Sequence, residues 1–244
     1  VRVLAVESAT ETAAVALADE EGVLGSMVLA RGRRHTETIA PSIDWLCRRL
    51  GVRLGDVDAL AVDVGPGLFT GLRVGVGTVQ ALAFALDVPV VTASSLEILA
   101  HGVFGAGMAA GTVVVPVVDA RRAQVFSTRY WEIDGTLTEI GNEAVWSPEE
   151  LAADLAPVGE PLVLAGNGAL RYRSLLEEVP GSLLAGPAFS SPPVMALAEL
   201  GVVRALAGDV VDGAAVTPRY LRQADARINW EQRIPARVGR AGGR

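Results

Sequence analysis

The sequence predicts an α/β protein of two similarly built domains in tandem, and three observations carry that expectation. Short β-branched apolar runs alternate with stretches of helical periodicity. An opening of strand, short polar link and strand, VRVLAVESATETAAVAL, returns as TVVVPVVDARRAQVFSTRYWEIDG over 112–135. A strand running into a glycine turn, ALAVDVGPG over 59–67, is restated by PLVLAGNGA over 161–169. Asp119 follows Glu7 by 112 positions and Gly166 follows Gly65 by 101, offsets similar enough to favour a duplicated unit over chance. The division implied is 1–103 for the first domain, 104–217 for the second, and 218–244 for an arginine-rich, partly disordered tail.

Residues 2–7 and 12–18 flank the link Ser8 to Glu11, and a third run over 23–30 follows a Glu-Glu-Gly turn, so the three read as a meander. Ile39, Ile43, Leu46 and Leu50 recur at spacings of four, three and four, which predicts a helix that stops at Gly51 and has Pro41 near its first turn. A strand over 58–64 leads into Gly65-Pro66-Gly67, after which Thr70 is placed to cap a helix running to about Leu86, before Asp87-Val88-Pro89. A strand over 89–93 and a helix from Ser94 or Ser95 complete the first half. In the second half Ser147-Pro148-Glu149-Glu150 is a helix start, with a hydroxyl cap, proline at the first position and acids facing the dipole. Ser190-Ser191-Pro192-Pro193 opens another helix, through Leu206, whose only charges are Glu199 and Arg204; such a helix is expected to be buried between domains.

Composition removes several classes of chemistry. The chain has 244 residues, 50% of them apolar, which excludes a disordered protein. All 21 of its Lys and Arg residues are arginine, so a P-loop lysine, a Schiff-base lysine and a kinase strand lysine are absent. The single cysteine, Cys47, closes no intramolecular disulfide and reads as packing within a helix. His35 and His101 stand 66 positions apart, too far for a helical histidine pair, so no metal site and no catalytic residue is assigned. The opening VRVLAVESAT has neither a basic stretch nor an apolar run of signal length before Glu7, so no membrane association is expected and the cytoplasm is the expected compartment. The net charge of −7 is uneven: from Thr217 onward seven arginines stand against Asp225 and Glu231, a surplus of five. Such a surplus suits a tail that touches a nucleic-acid phosphate backbone.

Tandem units of this kind resemble the actin-like ATPase and sugar-kinase architecture (ASKHA, ribonuclease H-like), in which two polar links embrace the phosphates of a nucleotide. Ser8 and Thr10 supply hydroxyls in the first link, but no glycine lets a phosphate approach the backbone. Asp119 and Arg121 supply a carboxylate and a guanidinium in the second, and Gly65 and Gly67 stand where helix N–H groups could face an anion. Each of these six also has a plain structural reading as a turn or connector. The helix after Gly67 is unusual: Leu72, Val76, Val79 and Ala83 make one apolar face, and Val74, Gly77, Thr78, Ala81 and Ala85 a second one of small residues. A helix apolar all round needs cover on both sides. With Ile39, Ile43 and Leu46 of the preceding helix it is placed to form half of a four-helix bundle with a partner, and the sequence leaves open which face looks outward.

The segments VLAVESATETAAVAL (3–17), RHTETIAPSIDWL (34–46), the long stretch from DALAVDVGPGLFTGLRVG to EILA (58–100), VVDARRAQVF (117–126) and TPRYLR (217–222) resemble the bacterial TsaB family, also called YeaZ. The resemblance implies a non-catalytic scaffold in making N6-threonylcarbamoyladenosine (t6A) at position 37 of tRNAs that read codons beginning with A. It implies pairing through the N-terminal helices with the catalytic sister TsaD, the ATPase TsaE as a further partner, and tRNA bound through the complex. It also implies a homodimer on the same surface when the chain is alone. No intrinsic cofactor is expected, although ATP or ADP at the partner interface fits the family. The alternative is a stand-alone actin-fold kinase or ATPase acting on a small molecule.

Overall fold

A computed structural model describes residues 1–30 and 35–221. The first sheet is the meander β1 (Val3–Glu7), β2 (Ala13–Asp19) and β3 (Gly22–Leu29), extended by two later strands. Between them come α1 (His35–Leu50), β4 (Ala59–Asp63), α2 (Phe69–Leu86), β5 (Val90–Ala93) and α3 (Ser95–Gly105). The strand order is β3-β2-β1-β4-β5, with β1, β4 and β5 parallel and β2 antiparallel to β1 and β3. This is the ribonuclease H-like arrangement.

The second sheet repeats it. Its strands are β6 (Val113–Arg121), β7 (Gln124–Ser127), β8 (Tyr130–Ile133), β9 (Thr136–Glu139) and β10 (Ala144–Trp146), followed by α4 (Pro148–Leu155) and β11 (Leu162–Ala165). Then come α5 (Asn167–Arg171), α6 (Arg173–Leu176), β12 (Ser182–Leu184) and α7 (Val194–Ala207). The path β7-β6-β11-β12 matches β2-β1-β4-β5 in order and in sense, with β6 antiparallel to β7 and parallel to β11. The duplication expected from sequence is therefore visible as two actin-like units, the second carrying the added β8–β9 hairpin turned at Asp134-Gly135.

One face of the first sheet packs α1 and α2 against Leu4, Val6, Val15, Leu60 and Val62. The other face meets α7, whose Val194, Leu197, Ala198 and Val202 rest on Val3, Ala5, Ala16 and Ala61. Gly201 permits this closeness, since a Cβ there would stand 2.8 Å from Val3 Cγ1 and 2.9 Å from Ala61 Cβ. Conversely α3 lies against β6 and β11 of the second sheet, with Leu96 and Leu99 on Val118 and Ala100 and Val103 near Val114 and Val163. The helix expected between the domains does lie there, beside α3, but each of these two helices covers the other unit's sheet. The expected boundary between 103 and 104 falls near the end of α3, and across it α3 packs on the second sheet and α7 on the first.

Local signals read well at some helix ends and less well at others. Ser147 accepts from Glu150 N at 3.1 Å while Glu150 Oε2 accepts from Ser147 N at 2.9 Å, the expected capping box. Ser94 caps α3 by accepting from Glu97 N at 3.1 Å. Thr70 does not cap α2: Leu68 holds that position and its N–H goes to Ala9 O at 2.6 Å. Pro41 lies inside α1 and not in its first turn, because the helix already begins at His35. Cys47 is buried and free, as its packing role requires. At the other end of the described chain Arg219 N donates to Val64 O at 2.7 Å, and Tyr220 packs on Phe69 with ring centroids 5.2 Å apart. Most of the expected tail, 222–244, lies outside the described residues.

Candidate functional site

The two polar links face each other where β1 and β6 end. In the first, Glu7, Ser8 and Thr10 are buried. Ser8 Oγ donates to Gly71 O at 2.9 Å, and Thr10 Oγ1 accepts from Thr12 N at 3.2 Å. His35 Nε2 lies 3.0 Å from Thr10 O and 3.3 Å from Thr12 O, and since both are carbonyls this nitrogen carries the proton it donates. The link is thus closed on the chain itself. A Cβ at Gly67 would come 2.2 Å from Ala9 O, and one at Gly71 would come 2.0 Å from Ser8 O. The start of α2 therefore lies directly against the link. Gly65 belongs to the same knot, with φ of 98° and its N–H donated to Asp63 Oδ1 at 2.7 Å.

The second link is built alike. Gly166 and Gly168 press on Val117 O, and Asn167 Oδ1 accepts from Asp119 N at 2.8 Å. Asp119 accepts from Arg171 Nη1 at 2.8 Å, and Arg121 reaches across to Glu11 Oε1 at 2.8 Å. That last pair joins the two links on the surface, where about half of each side chain is exposed and the pair adds little stability. Ser8, Thr10, Gly65 and Gly67 therefore come together, and Asp119 and Arg121 face them, but the six make a closed seam and not an open cradle.

Sequence reasoning did not single out the carboxylate pair beneath this seam. Glu7 and Asp63 end the paired strands β1 and β4, one step beyond Val6 and Val62, and both are buried. Glu7 Oε1 accepts from Ala9 N at 2.9 Å, and Asp63 Oδ1 accepts from Gly65 N and from Ser95 Oγ, both at 2.7 Å. Burial, and then the Asp63 charge, hold the Glu7 carboxyl well above the usual range, and burial also raises Asp63. Glu7 Oε2 and Asp63 Oδ2 have no donor of their own, so one proton held between the two carboxylates satisfies both. The signal available was an acid at the end of each of two strands expected to pair.

The helices answer which face looks outward. Leu72, Val76, Val79 and Ala83 lie on the sheet side of α2, and Ile39, Ile43 and Leu46 on the sheet side of α1, all within the core. As candidates for partner contact these seven are corrected to core residues: larger apolar side chains belong against the sheet, leaving the small face of α2 outside. Gly77 and Ala81 are exposed on that face, and a Cβ at Gly77 would meet nothing within 4 Å. One turn further Phe84 is 91% exposed, a residue the helical spacing from Gly77 and Ala81 already placed on this face. On α1 the outward side shows Ala40, Asp44 and Trp45, the last 51% exposed with Arg49 stacked over its ring at 5.9 Å. Between the helices runs an apolar groove of about 440 Å³, floored by Ile43 and Cys47 and flanked by Ala40, Thr78 and Leu82. The α2 side of this surface, small residues beside a protruding aromatic ring, has the composition of an interface core, while the α1 side adds the charges of Asp44, Arg48 and Arg49 as a polar rim.

Residues 21–230 match the profile of the family described as TsaD, tRNA N6-adenosine threonylcarbamoyltransferase. The tRNA threonylcarbamoyladenosine biosynthesis protein TsaB of Haemophilus influenzae is 32% identical over 96% of this chain and 97% of its own. The protein of the same name from Bacillus subtilis is 27% identical over 93% and 97% respectively. Among solved structures, YeaZ from Pseudomonas aeruginosa superposes with a TM-score of 0.79 at 32% identity, covering 90% of this chain and 99% of that one.

Proposed function

The chain belongs to the TsaB (YeaZ) family of tRNA threonylcarbamoyladenosine biosynthesis proteins, and we propose that it serves there as a non-catalytic subunit that docks its outward α1–α2 face on the catalytic sister TsaD. The observation that carries this reading is Phe84, 91% exposed on a helix whose neighbouring outward positions are Gly77 and Ala81. Small residues let a partner helix approach closely, and a protruding aromatic ring supplies an anchor. The closed first link supports a scaffold over a stand-alone ATPase, because Gly67 and Gly71 bring α2 onto Ala9 and Ser8 where phosphates would lie. In this reading TsaE joins the pair, tRNA is bound by the whole complex, and ATP or ADP binds at a subunit interface. The same face makes a homodimer when the sister is absent.

The test combines t6A formation on a tRNA transcript, with TsaD, TsaE and a source of threonylcarbamoyl-AMP, in the presence and absence of this chain, with ATP turnover by the chain alone. Dependence on the chain without solitary turnover is the expected result; solitary turnover with no effect on t6A would leave the fold and remove the function. Gly77→Arg and Ala81→Arg place a long cation on the outward face. Each is expected to weaken pairing on the order of 100-fold. Ala81→Arg should change stability by no more than about 0.5 kcal/mol, since the site is exposed, and Gly77→Arg should raise it by up to about 1 kcal/mol, because arginine is the better helix former in the middle of α2. Loss of folding in these variants would mean that this face is core.

A further inference from the structure

The sheet carries the length of α1 and α2, and one buried loop, the first link, carries the start of both. Both helices begin on the first link: α1 through His35, whose Nε2 donates to Thr10 O and Thr12 O, and α2 through Leu68 N, donated to Ala9 O at 2.6 Å. Three glycines spaced four apart, Gly67 just before α2 and Gly71 and Gly75 within it, lie against Ala9 and Ser8. The third is the informative one. A Cβ at Gly75 would come 2.2 Å from Ser8 Oγ but 3.4 Å from Ser8 Cβ, so one hydroxyl sets how near that turn of the helix sits. At Gly71 the obstacle is instead a backbone oxygen, Ser8 O, at 2.0 Å. Ser8 itself is 1% exposed and touches no surface a partner could reach.

Resting on the partner reading above, we propose that Ser8 is a positioning residue for the docking face: the first link serves as the seat that sets the height and angle of α2 relative to α1. A displacement of α2 at Gly75 moves Gly77, Ala81 and Phe84 together, because a helix shifts as a rigid element. An interface that relies on close approach is sensitive to shifts of that size.

The steric arithmetic supplies a reciprocal test. Gly75→Ala inserts a methyl against Ser8 Oγ and lifts α2, although alanine is otherwise the better helix former. Ser8→Ala removes the oxygen and leaves the new methyl in ordinary 3.4 Å contact with Cβ. Affinity for the sister subunit is measured on the full chain by titration calorimetry, with helicity and the thermal midpoint recorded for each variant. The expected pattern is a loss of roughly tenfold or more for Gly75→Ala, a smaller loss of about three- to fivefold for Ser8→Ala, which gives up both the spacing oxygen and its bond to Gly71 O, and recovery in the double variant to the Ser8→Ala level. Gly71→Ala is expected to lose affinity and not to recover with Ser8→Ala, because a backbone carbonyl cannot be cut back. Should Gly75→Ala not fold, Ser8→Thr, which adds a methyl at the same junction, replaces it with the same expected loss. A folded Gly75→Ala chain that binds like wild type overturns the proposal, as does a double variant that stays as weak as Gly75→Ala. Failure of the wild-type chain to bind the sister removes the partner reading as well, so the two failures are told apart by the wild-type titration.

Discussion

At the scale of single residues the Glu7–Asp63 pair has the clearest energetic consequence. Glu7 is fully buried and its carboxyl is raised well above the ordinary value of 4.5, first by burial and then by Asp63. An acid that keeps its proton in the folded chain and loses it in the unfolded one binds more protons when native, so stability falls as pH rises from about 4.5 to the elevated folded value. Above that value the cost is constant. Glu7→Gln keeps an acceptor for Ala9 N and places an amide donor toward Asp63, which removes the need for a shared proton. The expected outcome is a thermal midpoint above wild type at pH 8, with the difference shrinking toward pH 5. Parallel midpoint curves for the two proteins over that range would show that the pair does not share a proton. Asp63 has the fuller set of donors, Gly65 N and Ser95 Oγ, and is the member better suited to hold the negative charge.

Elements show where pattern alone succeeds. The duplicated strand–link–strand opening, the alternation of strands and helices and the caps at Ser94 and Ser147 were all legible, because each rests on neighbours in sequence. Replacing Ser147 with alanine removes a cap whose partner, Glu150 N, is one of the first free donors of α4. The expected cost is about 1 kcal/mol, read from the urea midpoint. The docking face was only half legible. Periodicity separated two faces on α2, but their orientation depends on which of them the sheet takes, and the heavier Leu72 and Val79 face won through apolar burial. The glycines at 65, 67, 71 and 75 carried a similar ambiguity, since a glycine admits either a ligand or another part of the chain. Only the arrangement in space shows that Ser8 and Ala9 stand against 67, 71 and 75. Thr70 looked like a cap for the same reason: nothing local reveals that Leu68 N is already committed to Ala9 O.

For the whole molecule the exchanged helices govern behaviour. Leu197 is fully buried among Val3, Ala5 and Ala61, so Leu197→Ala, though distant in sequence, should destabilise the first sheet by about 2–5 kcal/mol. Since α7 also rests beside α3, that loss should lower one common transition and leave no stable half behind; two separated melting steps in calorimetry would contradict this. The exchange also makes each half depend on the other for its cover. A cut in the Gly107 to Gly111 loop would leave each sheet on one piece and the helix that roofs it on the other, so the two fragments are expected to fold poorly apart and to reassemble when mixed.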